Sequence, residues 1–323
     1  MINSKCSGMT YLLRIIAWGT TLSVSLGGLY GVSTKLPGPV RDLINRYSRE
    51  ITLLEIGKKE CPYFPSLVQY NAQCIALCMG GADSTLVTKA SQRHNGIILG
   101  PKTVTHDMIH TLGACEHFDI VIVHNLQNTI SEFMPFVSAF LRLGDHIFIE
   151  ASTAEQCRVC KNFGMVGYKH SHGTTLFYLH KRKTTLEKAR FTQKIHSSEP
   201  KPVYRVTSDF HTKFFSKGPL FKQIPWIHGI NMVSFVMFSG IYPTDSIVRQ
   251  GISGLKNRYA HHNDLVIGNI IMRGDQLIPI DFGDERRSTS SVSCIAAALR
   301  AFHSGNGRLK DPHKWINDYY KYV

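Results

Sequence analysis

The chain reads as an α/β protein: a doubly wound, mainly parallel sheet over residues 36–182, followed by a truncated α+β lobe over residues 203–323. Three observations predict it. Between Leu36 and Arg182, short apolar runs of strand length alternate with segments of helical period, the pattern of a mainly parallel sheet covered by helices on both faces. Beyond residue 202 the strand patterns shorten, and Ile270-Ile271-Met272, Arg273-Gly274-Asp275 and Leu277-Ile278-Pro279-Ile280 spell a β-hairpin with a Gly-containing turn. Composition is that of a folded chain: 43% hydrophobic, 10% aromatic and 19% charged residues, in a length of 323 that suits about two domains.

Residues 1–35 form an N-terminal segment of their own. From Tyr11 to Tyr30 it is apolar and rich in Ser, Thr and Gly, with Lys5 before it and Arg14 within it. The uninterrupted part, Ile15 to Tyr30, falls short of the roughly 20 residues of a membrane span and lacks a clear small-x-small cleavage site. A membrane anchor, an interfacial helix and an ordinary packed helix all fit. Lys5 and Arg14 on one side, with Lys35 and Arg41 on the other, leave any orientation open.

Strands follow at Ile51–Ile56, Gln73–Met79, Gly96–Gly100, Phe118–His124, His146–Glu150, Met165–Lys169 and Thr175–Leu179, each an apolar run of strand length. Helical patterns fill the gaps at Ser84–Arg93, Thr105–Cys115, Ile130–Leu143 and Thr153–Phe163. No helix separates the last two strands, so they form an antiparallel hairpin around His172-Gly173. Of eight cysteines only Cys157 and Cys160 make a Cys-x-x-Cys pair, one turn apart on a helix, with no second pair to complete a zinc site. Core packing is the reading for that pair, and reduced thiols the reading for all eight.

Residues 183–202 read as a basic linker. Val203–Val206 and His211–Phe215 then form two strands around Ser208-Asp209, and Ile224-Pro225-Trp226-Ile227-His228-Gly229-Ile230-Asn231 leads into a helix from Met232 to Ser239. A net charge of +14, from 37 Lys and Arg against 23 Asp and Glu, favours partners bearing phosphate, nucleic acid or anionic lipid headgroups. Nucleic acid is the weakest of these, because neither an RNA-binding aromatic signature nor zinc-finger spacing is present.

The stretch His262-Asn263-Asp264-Leu265-Val266-Ile267-Gly268-Asn269, with Ile280-Asp281-Phe282-Gly283-Asp284 after the hairpin, is the most specific in the chain. Asp264, an Asn five residues later and a second Asp twelve residues beyond that stand in the order with which kinase-type phosphotransferases hold a hydroxyl and two metal ions. This part resembles the protein-kinase-like superfamily, nearer to its small-molecule and sugar kinases than to protein kinases. The resemblance implies Asp264 as catalytic base, His262 as the brace of its loop, and Asn269 and Asp281 as Mg²⁺ ligands beside ATP. Lys213 is placed to touch the nucleotide phosphates, and residues 224–231 resemble the hinge between lobes. A glycine-rich phosphate loop and a helix carrying a glutamate partner for the lysine are both missing from the pattern.

Residues 36–182, with five strand-helix units and a closing hairpin, resemble the class I S-adenosylmethionine-dependent methyltransferases. Leu53-Leu54-Glu55-Ile56-Gly57 is similar to the Glu/Asp-x-Gly opening of their cofactor loop, and Phe118 to Asn125 to the strand that delivers residues beside the methyl donor. The resemblance implies S-adenosylmethionine as a cofactor held by Glu55, Gly57, Asp83 and Asp119. It departs after Gly57, where Lys58-Lys59-Glu60-Cys61-Pro62 supplies none of the further glycines. Asp83 stands a few residues later than the acidic residue expected after the second strand, and Gly80-Gly81 reads equally as a tight turn.

The leading expectation is Mg²⁺-dependent phosphoryl transfer from ATP to a hydroxyl of a small-molecule, sugar or glycan acceptor, with methyl transfer as a second activity. An anionic acceptor such as a phosphorylated sugar suits the charge, as does an anionic membrane surface on the cytoplasmic side. A methyltransferase with a pseudokinase tail, and a catalytically inactive membrane-associated scaffold, are the alternatives.

Overall fold

The computed structural model describes residues 35–58, 61–124, 130–170, 173–181, 188–189, 203–205, 210–214, 221–225, 227–238, 240–258 and 270–279. The described residues from Leu36 onward belong to one compact unit. Its centre is a sheet in which β1 (Ile51–Gly57), β2 (Ala72–Cys78), β3 (Gly96–Leu99), β4 (Phe118–Val123) and β5 (Gly144–Ala151) run parallel in the spatial order 3-2-1-4-5. β7 (Thr175–His180) returns antiparallel beside β5, and β6 (Val166–Lys169) pairs with it at the outer edge. The closing hairpin is therefore present as expected, with Gly173 at φ +76° in its turn.

The two-residue period of the strands sends alternate side chains into two cores. Leu54, Ile56, Ile75, Leu77, Val121 and Val123 face one, together with α4 (His106–Cys115), α5 (Ile130–Phe140) and α6 (Ala154–Asn162). Leu53, Cys74, Ala76, Ile98, Ile120 and Ile122 face the other, with α1 (Gly38–Ile44), α2 (Phe64–Leu67) and α3 (Ser84–Ser91). Continuous apolar strands are thus buried on both sides, as a parallel sheet requires. Helix starts are set locally: Thr105 caps α4, and Thr153 with Gln156 forms a capping box on α6.

The second half differs from the expected separate lobe. β12 (Ile230–Asn231) leads directly into α7 (Met232–Met237), every residue of which is buried, and Ile230, Met232, Val233, Phe235 and Val236 join the core built on Leu54 and Val121. So apolar a helix needs a large surface to cover it, and the sheet domain supplies that surface. A short strand, β13 (Gly240–Tyr242), then adds antiparallel to β3 and extends the main sheet to eight strands. Gly240 permits this, because any Cβ there would lie 2.1 Å from the Phe235 ring.

α8 (Asp245–Arg258) precedes the predicted hairpin, β14 (Ile270–Arg273) and β15 (Gln276–Pro279), turned by Gly274-Asp275 and joined by β12 into a three-stranded sheet. The expected linker over 183–202 contributes β8 (Lys188–Ala189) to a further antiparallel sheet with β9 (Val203–Arg205), β10 (Phe210–Phe214) and β11 (Phe221–Pro225). Among the described residues no helix is long and apolar enough to cross a membrane. Residues 1–34, where an anchor was considered, lie outside the described residues.

Candidate active site

In an open α/β sheet, ligands bind beyond the carboxyl ends of the strands where the strand order reverses, which here is between β1 and β4. Three ionisable residues end apolar strands at that point. Glu55 on β1, His124 directly after β4 and Glu150 on β5 share a register: Glu55 lies opposite Ile122, and Ile122 opposite Phe148, two residues before Glu150. All three project to the face covered by α1, α2 and α3, and Glu55 is fully buried.

His124 joins the two carboxylates. Its Nε2 lies 2.6 Å from Glu55 Oε1 and its Nδ1 3.2 Å from Glu150 Oε2. Burial would depress the imidazole, but hydrogen bonds and charge from Glu150 and Glu55 outweigh it and push the pKa up to about 9. Burial would raise Glu150, yet its bond to His124, the His124 charge and the Tyr63 hydroxyl hold it below the ordinary carboxylate range. The cluster therefore holds an imidazolium between two carboxyl groups, with Glu150 held ionised beside it.

Two residues from loops complete it. Tyr63, in the segment between β1 and α2, donates its backbone N–H to Glu55 Oε1 at 2.8 Å and its hydroxyl to Glu150 Oε1 at 2.8 Å, with its ring 4.7 Å from that of His124. His170, in the turn between β6 and β7, brings Nε2 within 3.0 Å of the Tyr63 hydroxyl and 3.4 Å of Glu150 Oε1. Among the described residues Glu55 Oε2 is buried with no hydrogen-bond partner. An orphaned buried acceptor of this kind is costly and marks a place for a donor.

Of the residues proposed from sequence to hold a methyl donor, Glu55 and Gly57 lie at this edge, and Asp83 follows β2 on the same side. The Gly57 carbonyl accepts from Met79 N at 2.7 Å, tying the β1 and β2 loops together. Gly80 and Gly81 have φ of +100° and +99°, so the turn reading of that pair holds, and Lys58 O stands 3.3 Å from where a Gly80 Cβ would be. The exposed Asp83 carboxylate caps α3 by accepting from Thr85 N at 2.9 Å, which lowers its pKa.

Asp119 is placed at the opposite edge. It sits at the amino end of β4, buried, paired to Arg49 Nη2 at 2.7 Å and accepting from Thr52 N at 2.9 Å. His228 joins them through Thr52 Oγ1 at 3.1 Å. The second residue of β4 lies near the amino edge of the sheet, so Asp119 is a structural ion-pair partner and not a neighbour of the other three. The expected hinge residues around His228 thus dock against the amino edge of the sheet.

The phosphotransferase residues His262, Asp264, Asn269 and Asp281 lie outside the described residues. Lys213 is on β10, its backbone opposite Lys222 and Val203. Cys157 and Cys160 are on α6; burial pushes the Cys160 thiol up to about 12, which keeps it protonated and unreactive. Among the described residues no group of three His, Cys, Asp or Glu could hold a metal ion. Sequence reasoning missed Tyr63, Glu150 and His170 as site residues, and included His124 only as part of the strand expected beside the methyl donor. The signal available for His124 and Glu150 was an ionisable residue ending an otherwise apolar strand.

No protein-family model matches the chain, and no curated protein matches it. Solved structures similar to it are mostly S-adenosylmethionine-dependent methyltransferases. A TehB-like member from Corynebacterium glutamicum is 11% identical over 51% of this chain and 96% of its own, with a TM-score of 0.32. Magnesium protoporphyrin IX methyltransferase from Synechocystis, with S-adenosylmethionine bound, is 10% identical over 55% of this chain and 98% of its own, with a TM-score of 0.33. WbdD, in a co-crystal with a kinase inhibitor, is 10% identical over 87% of this chain and 85% of its own, with a TM-score of 0.32. At these scores the likenesses fix neither a family nor an activity.

Proposed function

We propose that the sheet domain binds S-adenosylmethionine at the carboxyl edge between β1 and β4 and transfers its methyl group, so that methyl transfer takes precedence over the phosphoryl transfer expected first. The observation that carries this reading is the acidic cluster of Glu55, His124 and Glu150 at the switch point, in which Glu55 Oε2 lacks a donor among the described residues. These residues fit a ligand that is cationic and rich in N–H and O–H donors. Bound there, S-adenosylmethionine supplies a methyl group activated on a sulfonium. Glu55 Oε2 would accept from one of the ligand's donors, Asp83 would present a carboxylate from the β2 side, and the glycines at 80 and 81 keep that turn free of side chains.

Calorimetric titration of the full chain with S-adenosylmethionine and with S-adenosylhomocysteine tests it. Binding in the micromolar range is expected, weakened about tenfold or more in Glu55→Gln if the orphaned oxygen meets a charged donor. Absence of binding by both compounds would end the reading.

A second reading has its own support. The expected hairpin β14–β15 forms, with Ile270 opposite Pro279, so in sequence Asn269 precedes it and Asp281 follows it. We infer a Mg²⁺-dependent phosphotransferase site at that open end, with Asp264 as base, His262 bracing its loop, and Lys213 toward ATP. Titration with ATP, with and without Mg²⁺, should show metal-dependent binding that Asp281→Asn abolishes; equal binding by the variant would remove the metal role.

A further inference from the structure

We propose that His170 is the proton acceptor of the carboxyl-edge site, with Nδ1 as the accepting atom, and that the methyl acceptor is a nitrogen or oxygen nucleophile that must lose a proton. This rests on the methyl-transfer reading above. The hydrogen bonds fix the tautomer. Tyr63 donates its hydroxyl to Glu150 Oε1, and burial followed by the Glu150 charge raises the phenol well above its usual pKa, so that proton stays in place. The Tyr63 oxygen is then left to accept, and His170 Nε2, 3.0 Å away, must donate. A neutral imidazole protonated on Nε2 has its lone pair on Nδ1. No hydrogen bond to that atom is formed among the described residues.

His170 is also the outermost member of the cluster. Its side chain is 18% exposed, whereas Glu55 is fully enclosed and both nitrogens of His124 are committed to carboxylates. In the reaction, the acceptor's lone pair forms the bond to the methyl carbon as the carbon–sulfur bond breaks, its electron pair remaining on sulfur. The pair of the N–H or O–H bond stays with the acceptor, and the proton passes to His170 Nδ1. Glu150 Oε1, 3.4 Å from Nε2, stabilises the imidazolium so formed. Carboxylate and carbon nucleophiles without such a proton would have no use for this group.

The charged and titratable groups facing His170 from neighbouring elements are Tyr63 and Glu150, with His124 and Glu55 behind them. His124, raised to about 9, stays cationic and Glu150, held low, stays anionic around neutral pH. A positive charge on His170 would repel the sulfonium of S-adenosylmethionine but not the neutral thioether of S-adenosylhomocysteine, and the two ligands are otherwise alike.

The experiment is calorimetry of the full chain with both ligands at a series of pH values, in wild type and His170→Gln. Where His170 takes up its proton, the preference for S-adenosylhomocysteine should grow about three- to thirtyfold in wild type, with no matching change in the variant. Nitrogen-15 NMR of the imidazoles gives an independent check, with the neutral form of His170 expected as the Nε2–H tautomer. Binding of both ligands with a flat ratio in wild type, a slope that survives in His170→Gln, or an Nδ1–H tautomer would overturn the role of His170 and leave the methyl-donor reading standing. Failure of both ligands to bind would overturn that reading and this role with it.

Discussion

His124 cannot lose its second ring proton without stranding a buried carboxylate, since one nitrogen faces Glu55 and the other Glu150. Its pKa of about 9 lies above the ordinary imidazole value of 6.5, so the stabilisation it contributes is fully present below pH 6.5 and disappears as pH rises through 9. Glu150, held below its ordinary value, contributes in the opposite sense and loses its share as pH falls into the acid range. The protein should therefore be less stable at about pH 9.5 than at about pH 6.5 by roughly 3 kcal/mol on account of His124. Urea denaturation at the two pH values measures this. His124→Leu should unfold about 3–5 kcal/mol more easily at pH 6.5, because two buried carboxylates are left facing each other, and should lose most of the alkaline decline. A wild type equally stable at both values would mean that His124 is not held as a cation.

At the scale of elements, the seating of α7 depends on one carboxyl. Glu116 Oε1 accepts from Asn231 N at 2.9 Å and from Ser234 Oγ at 2.5 Å, while Asn231 itself caps the helix through Val233 N. Burial raises Glu116 to about 7 although both bonds oppose the shift. A carboxyl raised in the folded state contributes stability below its unfolded value of 4.5 that is lost as pH rises through 7. Glu116→Gln should be more stable than wild type at about pH 8 by an amount of order 1–3 kcal/mol, and hydrogen exchange in residues 231–238 should be slower in the variant at that pH. Identical exchange would show that α7 is held by its apolar face alone. The five parallel strands were legible because each is an apolar run bounded by polar residues, and α7 because all of its residues but Ser234 are apolar. β13 was not, since a strand of three residues exists through the edge of β3 and the Phe235 ring over Gly240. Tyr63 and His170 were equally hidden, because the bond between them spans 107 residues of sequence and depends on the register of β5 with β7.

At the scale of the molecule, the boundary read over residues 183–202 follows the charge of the sequence, whereas the core runs across it. Ile230, Met232, Val233, Phe235, Val236, Met237, Phe238, Val248, Leu255, Ile270 and Met272 are all buried in the cluster that also holds Leu54 and Val121. An ion pair from Arg273 to Glu50 at 2.8 Å and a hydrogen bond between His94 Nδ1 and Asp275 Oδ2 at 2.7 Å reinforce the joint, although exposed contacts of this kind add little beyond register. At about 1.5–3 kcal/mol for each apolar side chain, the burial contributed from beyond residue 226 exceeds the roughly 5–15 kcal/mol net stability of an ordinary domain. Its removal would also bare the matching face of the sheet and free the edge of β3 for pairing with other chains. A chain ended after Trp226 should therefore fail to unfold cooperatively, bind a hydrophobic dye and aggregate, even though it keeps every strand from β1 to β7. Near-ultraviolet circular dichroism and a urea titration would show this. A truncated chain with a sharp unfolding transition would mean that the α/β unit is self-sufficient, and that the segment from β12 to β15 is a docked lobe and not part of its core.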